Sequence, residues 1–206
     1  MIRRCVLISL SCVLLGGCSS LMQRGAPPPD VYTLTAGALP AQPAVRDDVL
    51  EVARSRARPG LDTEHLVVSL PDGRSDVYAG ARWAAPLPQM VDGMLVDALR
   101  ARGVAGAVVS DRSGFHARFL LQPEIVAFAA EYSAVGTAPT VRVRLRGEVG
   151  TTADRRVIAT VEGSGSAVAQ ADRRRDVVAA YQAAWDAAVQ ELSTQLDAAL
   201  VRAASR

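Results

Sequence analysis

The sequence predicts an α+β fold, a mainly antiparallel sheet with two amphipathic helices, about 87–102 and 172–204, packed on one face. Three patterns carry that expectation. From Leu87 the apolar residues recur at Leu87, Met90, Val91, Met94, Leu95, Ala98 and Leu99, one buried helical stripe. Between Thr140 and Thr151, Val141, Val143, Leu145 and Val149 alternate with Arg142, Arg144, Arg146 and Glu148, the period of a half-buried strand. From Asp172 to Ala204 a second stripe runs through Val177, Val178, Tyr181, Trp185, Ala188, Val189, Leu192, Leu196, Ala199 and Leu200. Two such helices and several half-buried strands satisfy one another by layering helices on a sheet.

The first helix has both a start and a stop. Pro88 is tolerated in the first turn, where the missing N–H has no partner to lose, and Gly103 suits a left-handed cap. Gln89, Asp92, Asp97, Arg100 and Arg102 fall on the opposite, polar face. Arg82 and Trp83 immediately precede the helix, where an indole can wedge between helix and sheet. For the second helix, Asp172 is the expected N-cap.

The remaining elements are shorter. Val31–Leu34 and Val49–Ala53 read as strands, and Pro59-Gly60-Leu61-Asp62 as a turn. Leu66–Leu70 and Asp76–Tyr78 flank Pro71-Asp72-Gly73-Arg74, a hairpin signal. Arg118–Glu131 reads as extended, with Pro123 marking an edge or a bulge because it cannot donate to a ladder. Val157–Val168 is a further strand, with Val157, Ala159 and Val161 expected to face inward. Gly163-Ser164-Gly165-Ser166 reads as a strand end or loop, since it lacks the lysine of a phosphate-binding loop.

The N-terminus speaks to function. Arg3 and Arg4, the apolar run Val6–Leu15 and then Leu15-Gly16-Gly17-Cys18 have the order of a secretory signal covering residues 1–17. The run is too short for a membrane span, which needs about 18–20 apolar residues. Leu15-Gly16-Gly17-Cys18 resembles the bacterial lipobox, which implies a diacylated Cys18 as the first mature residue. Cys5 and Cys12 would be removed, leaving Cys18 alone and no disulfide scaffold. Residues 18–30, with Pro27-Pro28-Pro29, then read as a tether whose dozen residues reach about 40 Å. Residues 31–206 are expected to form a single domain.

Cleavage would leave roughly 190 residues, enough for one well-buried core. The formal charge of +2 comes from Arg3 and Arg4, so arginines and acids then balance. A neutral chain gives no support for nucleic-acid binding. No cofactor or metal is expected: His65 and His116 have no metal-ligand spacing, and no Gly-x-Ser-x-Gly elbow occurs. Asp111-Arg112-Ser113-Gly114 is a turn cluster, and Arg173-Arg174-Arg175 a solvated helix start. Glu124, Glu131 and Glu162 suit cross-strand pairing with the arginine row.

The succession of lipobox, Tyr32-Thr33-Leu34, strand, turn and hairpin, then Arg82-Trp83-Ala84-Ala85-Pro86-Leu87 with its helix, a meander and an Ala-rich closing helix resembles the ABC-type transport auxiliary lipoproteins, the PqiC-like group. The resemblance runs from Cys18 to about Leu200. Members often carry an acid where this chain has Ala85, so a role for such an acid does not transfer. The resemblance implies a non-catalytic accessory on the periplasmic face of the outer membrane, held by a lipid anchor in the inner leaflet. It would serve a lipid transport system of an ABC permease, an ATPase and MCE-domain proteins. Ser19, not Asp, after Cys18 agrees with outer-membrane sorting in that resemblance. Candidate partner surfaces are Arg82 with Trp83, and the row Arg142, Arg144 and Arg146; self-association stays open. Two other readings remain: a structural envelope-assembly lipoprotein without lipid cargo, and a lipid-acting hydrolase using His65 or His116 with a serine.

Overall fold

The computed structural model describes residues 28–37, 39–41, 47–134 and 136–205. The expected signal, the lipobox with Cys18 and most of the tether lie outside the described residues.

The expected α+β architecture is present, built on one long antiparallel meander. Strand β7 (Phe119–Glu131) pairs with β8 (Thr140–Thr151), and β8 with β9 (Val157–Val168). Along the free edge of β7, three short strands lie end to end, all parallel to it: β2 (Val49–Val52), β3 (Arg56–Ala57) and β4 (His65–Ser69). From β2 the sheet continues to β6 (Ala107–Ser110). From β4 it continues through the hairpin to β5 (Ser75–Trp83), which pairs in parallel with β1 (Asp30–Tyr32). The sheet thus has nine strands and forks beyond β7.

Pro123 sits neither at an edge nor at the bulge, which falls between Ile125 and Ala127. The carbonyls of Leu121 and Ile125 accept from Ala53 and Arg58, on the β2–β3 side. By the alternation of a strand, Pro123 faces that same side, at the interruption between β2 and β3. A central strand tolerates the proline because nothing there requires its N–H.

Helix α1 (Leu87–Arg102) has the expected bounds, and its predicted stripe is buried throughout. Gly103 takes φ 76° and donates its N–H to the carbonyls of Arg100 and Leu99, closing the helix with a left-handed cap. Arg102 departs from expectation. It is only 4% exposed and reaches Gln190 and Thr194, so it belongs between the helices rather than on the polar face. Its place in the last turn lets the carbonyl end of the helix dipole offset part of the buried charge.

Helix α2 (Arg174–Ala204) begins two residues later than predicted, and Asp172 is not its cap. The N-cap is Arg173, which makes no side-chain capping bond, while the Asp172 carboxylate is taken by two tyrosines. The predicted stripe is buried except Val178, which is half-buried.

Both helices share one apolar core with the inward residues of β7 and β8. Gly163 and Gly165 are central to β9, not a strand end or loop. Their missing side chains let α2 press on the strand: a Cβ on Gly163 would stand 2.0 Å from the carbonyl oxygen of Ala188. Val157 is 59% exposed, contrary to expectation. A bulge pairs Val149 with Ala159 but Gly150 with Val157, so the extra residue turns Val157 to the outer face. The outer edge of β9 is blunted by α2, whose Gln195 and Glu191 accept from the N–H groups of Glu162 and Ser164.

Candidate functional site

The Arg82–Trp83 pair is where most of the fold converges. The two residues close β5, and alternation sends their side chains to opposite faces. The backbone knots the neighbourhood: Trp83 N–H donates to Glu64, Ala84 N–H to Tyr32, and Leu87 N–H to Thr63. Trp83 is 1% exposed and packs edge-on against Phe128 and Tyr181, with ring centroids 6.0 and 5.1 Å away. Tyr181 comes from α2 and donates its hydroxyl to the Val67 carbonyl at 2.9 Å. The indole therefore wedges between the sheet and the closing helix, and burial pushes the Tyr181 hydroxyl far above its ordinary pKa.

Arg82 points outward. Its side chain is 37% exposed and its guanidinium meets Glu64 at 3.0 Å. Among the described residues it is thus a paired cation on an open surface, next to a structural tryptophan.

The second candidate surface is the outer face of the meander. Arg142 meets Glu131, Arg144 meets Glu162, and Arg146 bridges Glu162 and Glu124 at 2.9 and 3.9 Å. Arg58 from beyond β3 also reaches Glu124. The hydrogen bonds from Arg146 and then Arg144 hold the Glu162 carboxyl below the usual carboxylate range. Cross-strand pairing accounts for the row, as the sequence suggested. A shallow depression of about 590 Å³ lies across it, lined by Ala127, Arg142, Arg144, Glu162, Ser166 and Glu191 among others. The structure does not bring Arg82 and this row together into one site: Arg82 lies on β5, in one arm of the fork, and the row on β8, across β7 from the fork.

His65, on β4, and His116, in the connection between β6 and β7, are both exposed. Among the described residues no cluster of histidine, cysteine and carboxylate side chains could hold a metal ion, and no helix is long and apolar enough to cross a membrane.

One constellation escaped the sequence reading. Tyr78 on β5 and Tyr132 after β7 both donate to the same Asp172 oxygen, at 2.9 and 2.6 Å. Desolvation and the Asp172 carboxylate push Tyr78 up to about 12, and Tyr132 shifts the same way. These residues come from three distant stretches of sequence, with no periodicity to join them.

A family model described as ABC-type transport auxiliary lipoprotein component matches residues 32–203. The chain belongs to that family. The tryptophan box, the meander and the closing helix all fall within the matched span. Among solved structures, a Xanthomonas campestris protein is 24% identical, with a TM-score of 0.72 over 86% of this chain and 97% of its own. A second, uncharacterised protein is 16% identical, with a TM-score of 0.59 over 86% of this chain and 99% of its own. Both likenesses concern the fold. A comparison with curated proteins returns no match.

Proposed function

We propose that this auxiliary lipoprotein is a non-catalytic accessory of an ABC/MCE-type lipid transport system, anchored through Cys18 in the inner leaflet of the outer membrane. It would dock there on periplasmic transport components. The observation that carries this reading is the match to the auxiliary family over residues 32–203, behind Leu15-Gly16-Gly17-Cys18, which resembles a lipobox, and a short proline-rich stretch. The domain at 31–206 would then stand clear of the headgroups, since a dozen extended residues reach about 40 Å.

Arg82 and the row Arg142, Arg144 and Arg146 are the proposed docking surfaces. Their support is exposure: both lie on sheet faces that the two helices leave open. Arginine is also a residue type that often dominates binding energy at interfaces.

The test combines localisation and capture. Wild-type protein should take up labelled palmitate and fractionate with the outer membrane, and Cys18→Ala should do neither. Neutralisation of both arginines, by Arg142→Gln with Arg144→Gln, should abolish co-purification with an MCE-domain protein of the same cell while leaving the melt nearly in place, because exposed ion pairs contribute little. A wild-type protein found in the inner membrane, or without lipid, would sink the anchoring half. Undiminished co-purification of the neutralised variant would remove the arginine row from the interface.

A further inference from the structure

A groove of about 410 Å³ opens between the β4–β5 hairpin, the β7–β8 connection and the start of α2. Its walls are apolar, built chiefly from Val68, Leu70, Pro71, Val77 and Ala79. The rings of Tyr78 and Tyr132 line it, and both hydroxyls are committed to Asp172. Asp76 stands at its rim, with its carboxylate on the N–H of Val77. Since both phenols keep their protons at neutral pH, the charged residues that line the groove, among the described residues, are Asp76 and Asp172. Arg174, two residues beyond Asp172, is close enough to act on the Tyr78 hydroxyl, but its guanidinium is taken up by Asp30 and the carbonyl of Gly80.

We propose that this groove takes an arginine side chain presented by a partner protein. Each part of the lining answers a part of that side chain. The apolar walls suit its methylene stem, which gains from leaving water. The tyrosine rings offer faces on which a guanidinium stacks, and a carboxylate with an oxygen to spare accepts its N–H groups. Charge complementarity disfavours an anionic ligand, because two carboxylates would face it and the nearby Arg174 is already paired with Asp30. It also disfavours a phospholipid headgroup, whose phosphate would lie within a few bonds of any ammonium held by Asp172 and find no cation in the lining. The proposal stands apart from the surfaces put forward above and survives if they fail.

Strand β1 runs parallel to β5, and Asp30 is tied to Arg174, so the first strand of the fold begins beside this groove.

The experiment titrates the mature lipidated chain, in detergent micelles, with acetyl-Ala-Ala-Arg-Ala-Ala-amide and with the same peptide carrying norleucine in place of arginine. The arginine peptide should bind saturably and perturb the tyrosine ring resonances; the norleucine peptide should bind at least about tenfold more weakly, the weight of a charge-assisted contact. Asp172→Asn should weaken the arginine peptide by about the same factor, whereas Tyr78→Phe, which keeps the ring, should hold affinity within about threefold. Asp76→Asn, at an exposed rim, serves if Asp172→Asn does not fold, and should also weaken binding. Equal binding of the two peptides, no saturable binding, or full displacement of the arginine peptide by short-chain phosphatidylethanolamine would each overturn the proposal.

Discussion

Gly165 lies directly beneath the backbone of Ala184. A Cβ built at Gly165 would stand 1.9 Å from the Ala184 carbonyl oxygen, a distance no side-chain carbon can occupy. Because the obstacle is helix backbone, it cannot rotate away, and α2 would have to lift from β9. Gly165→Ala should therefore cost at least the ~1–3 kcal/mol typical of overpacking. Ser166→Ala, one residue on and facing outward, should stay within about 0.5 kcal/mol. Thermal melts of the two variants decide it; equal melts would mean that α2 does not sit on this strand.

Helix α1 offers the complementary test of a buried face. Leu95 is fully buried, whereas Asp97 is exposed and pairs loosely with Arg100 at 3.6 Å. Leu95→Asp places a carboxylate in the core without a partner, a cost of several kcal/mol against a total stability of about 5–15. That variant should fail to give a cooperative melt. Asp97→Ala removes an exposed i,i+3 pair and should shift stability by no more than about 0.5 kcal/mol.

What the sequence displayed and what it concealed follow from the range of the forces involved. Strand β8 was legible to the residue because one face meets the core and the other meets water at every step. Helix α1 was legible because a stripe, a proline and a glycine all agree. The misreadings depend on a distant neighbour. Gly163 and Gly165 look like a loop until a helix carbonyl lies over them, and Val157 looks inward until a bulge reverses the alternation. Arg102 looks solvated until Gln190 and Thr194 close over it, and Asp172 looks like a cap until two tyrosines claim it. For the candidate sites, Trp83 fell where its size suggested, and the arginine row found the glutamates that cross-strand spacing offered. The tyrosine groove left no local signature, being assembled from a hairpin, a strand end and a helix start.

The tryptophan box separates folding from docking. Trp83 fills the space between Phe128 and Tyr181, so Trp83→Ala should cost about 3–5 kcal/mol through the cavity it leaves. Arg82 holds a half-exposed pair with Glu64, the kind of contact whose removal moves stability by less than about 1 kcal/mol. Arg82→Ala should leave the melt almost unchanged. If its surface docks the transporter, partner affinity should fall by about 1 kcal/mol or more in that variant. Affinity equal to wild type would confine the box to folding.

The two tyrosines on Asp172 give the fold an alkaline limit whose sign can be worked out. A phenol is neutral when protonated, and in the folded chain desolvation first, then the Asp172 carboxylate, raises Tyr78 from 10.0 to about 12. The folded state thus holds the proton more tightly than the unfolded state does. The stability it confers is fully present below pH about 10 and is lost as pH rises through about 12, because the unfolded chain releases its proton first. Tyr132 shifts in the same direction for the same causes, which steepens the loss. Melting temperature should therefore decline above pH about 10 in the wild type, and phenolate absorbance should show a late-titrating group that disappears in Tyr78→Phe. Replacing Tyr78 and Tyr132 together by phenylalanine should make the alkaline decline shallower, leaving the share that the buried Tyr181 contributes. A double variant that loses stability with pH as steeply as the wild type would place the limit elsewhere, with the buried Tyr181 as the next group to replace.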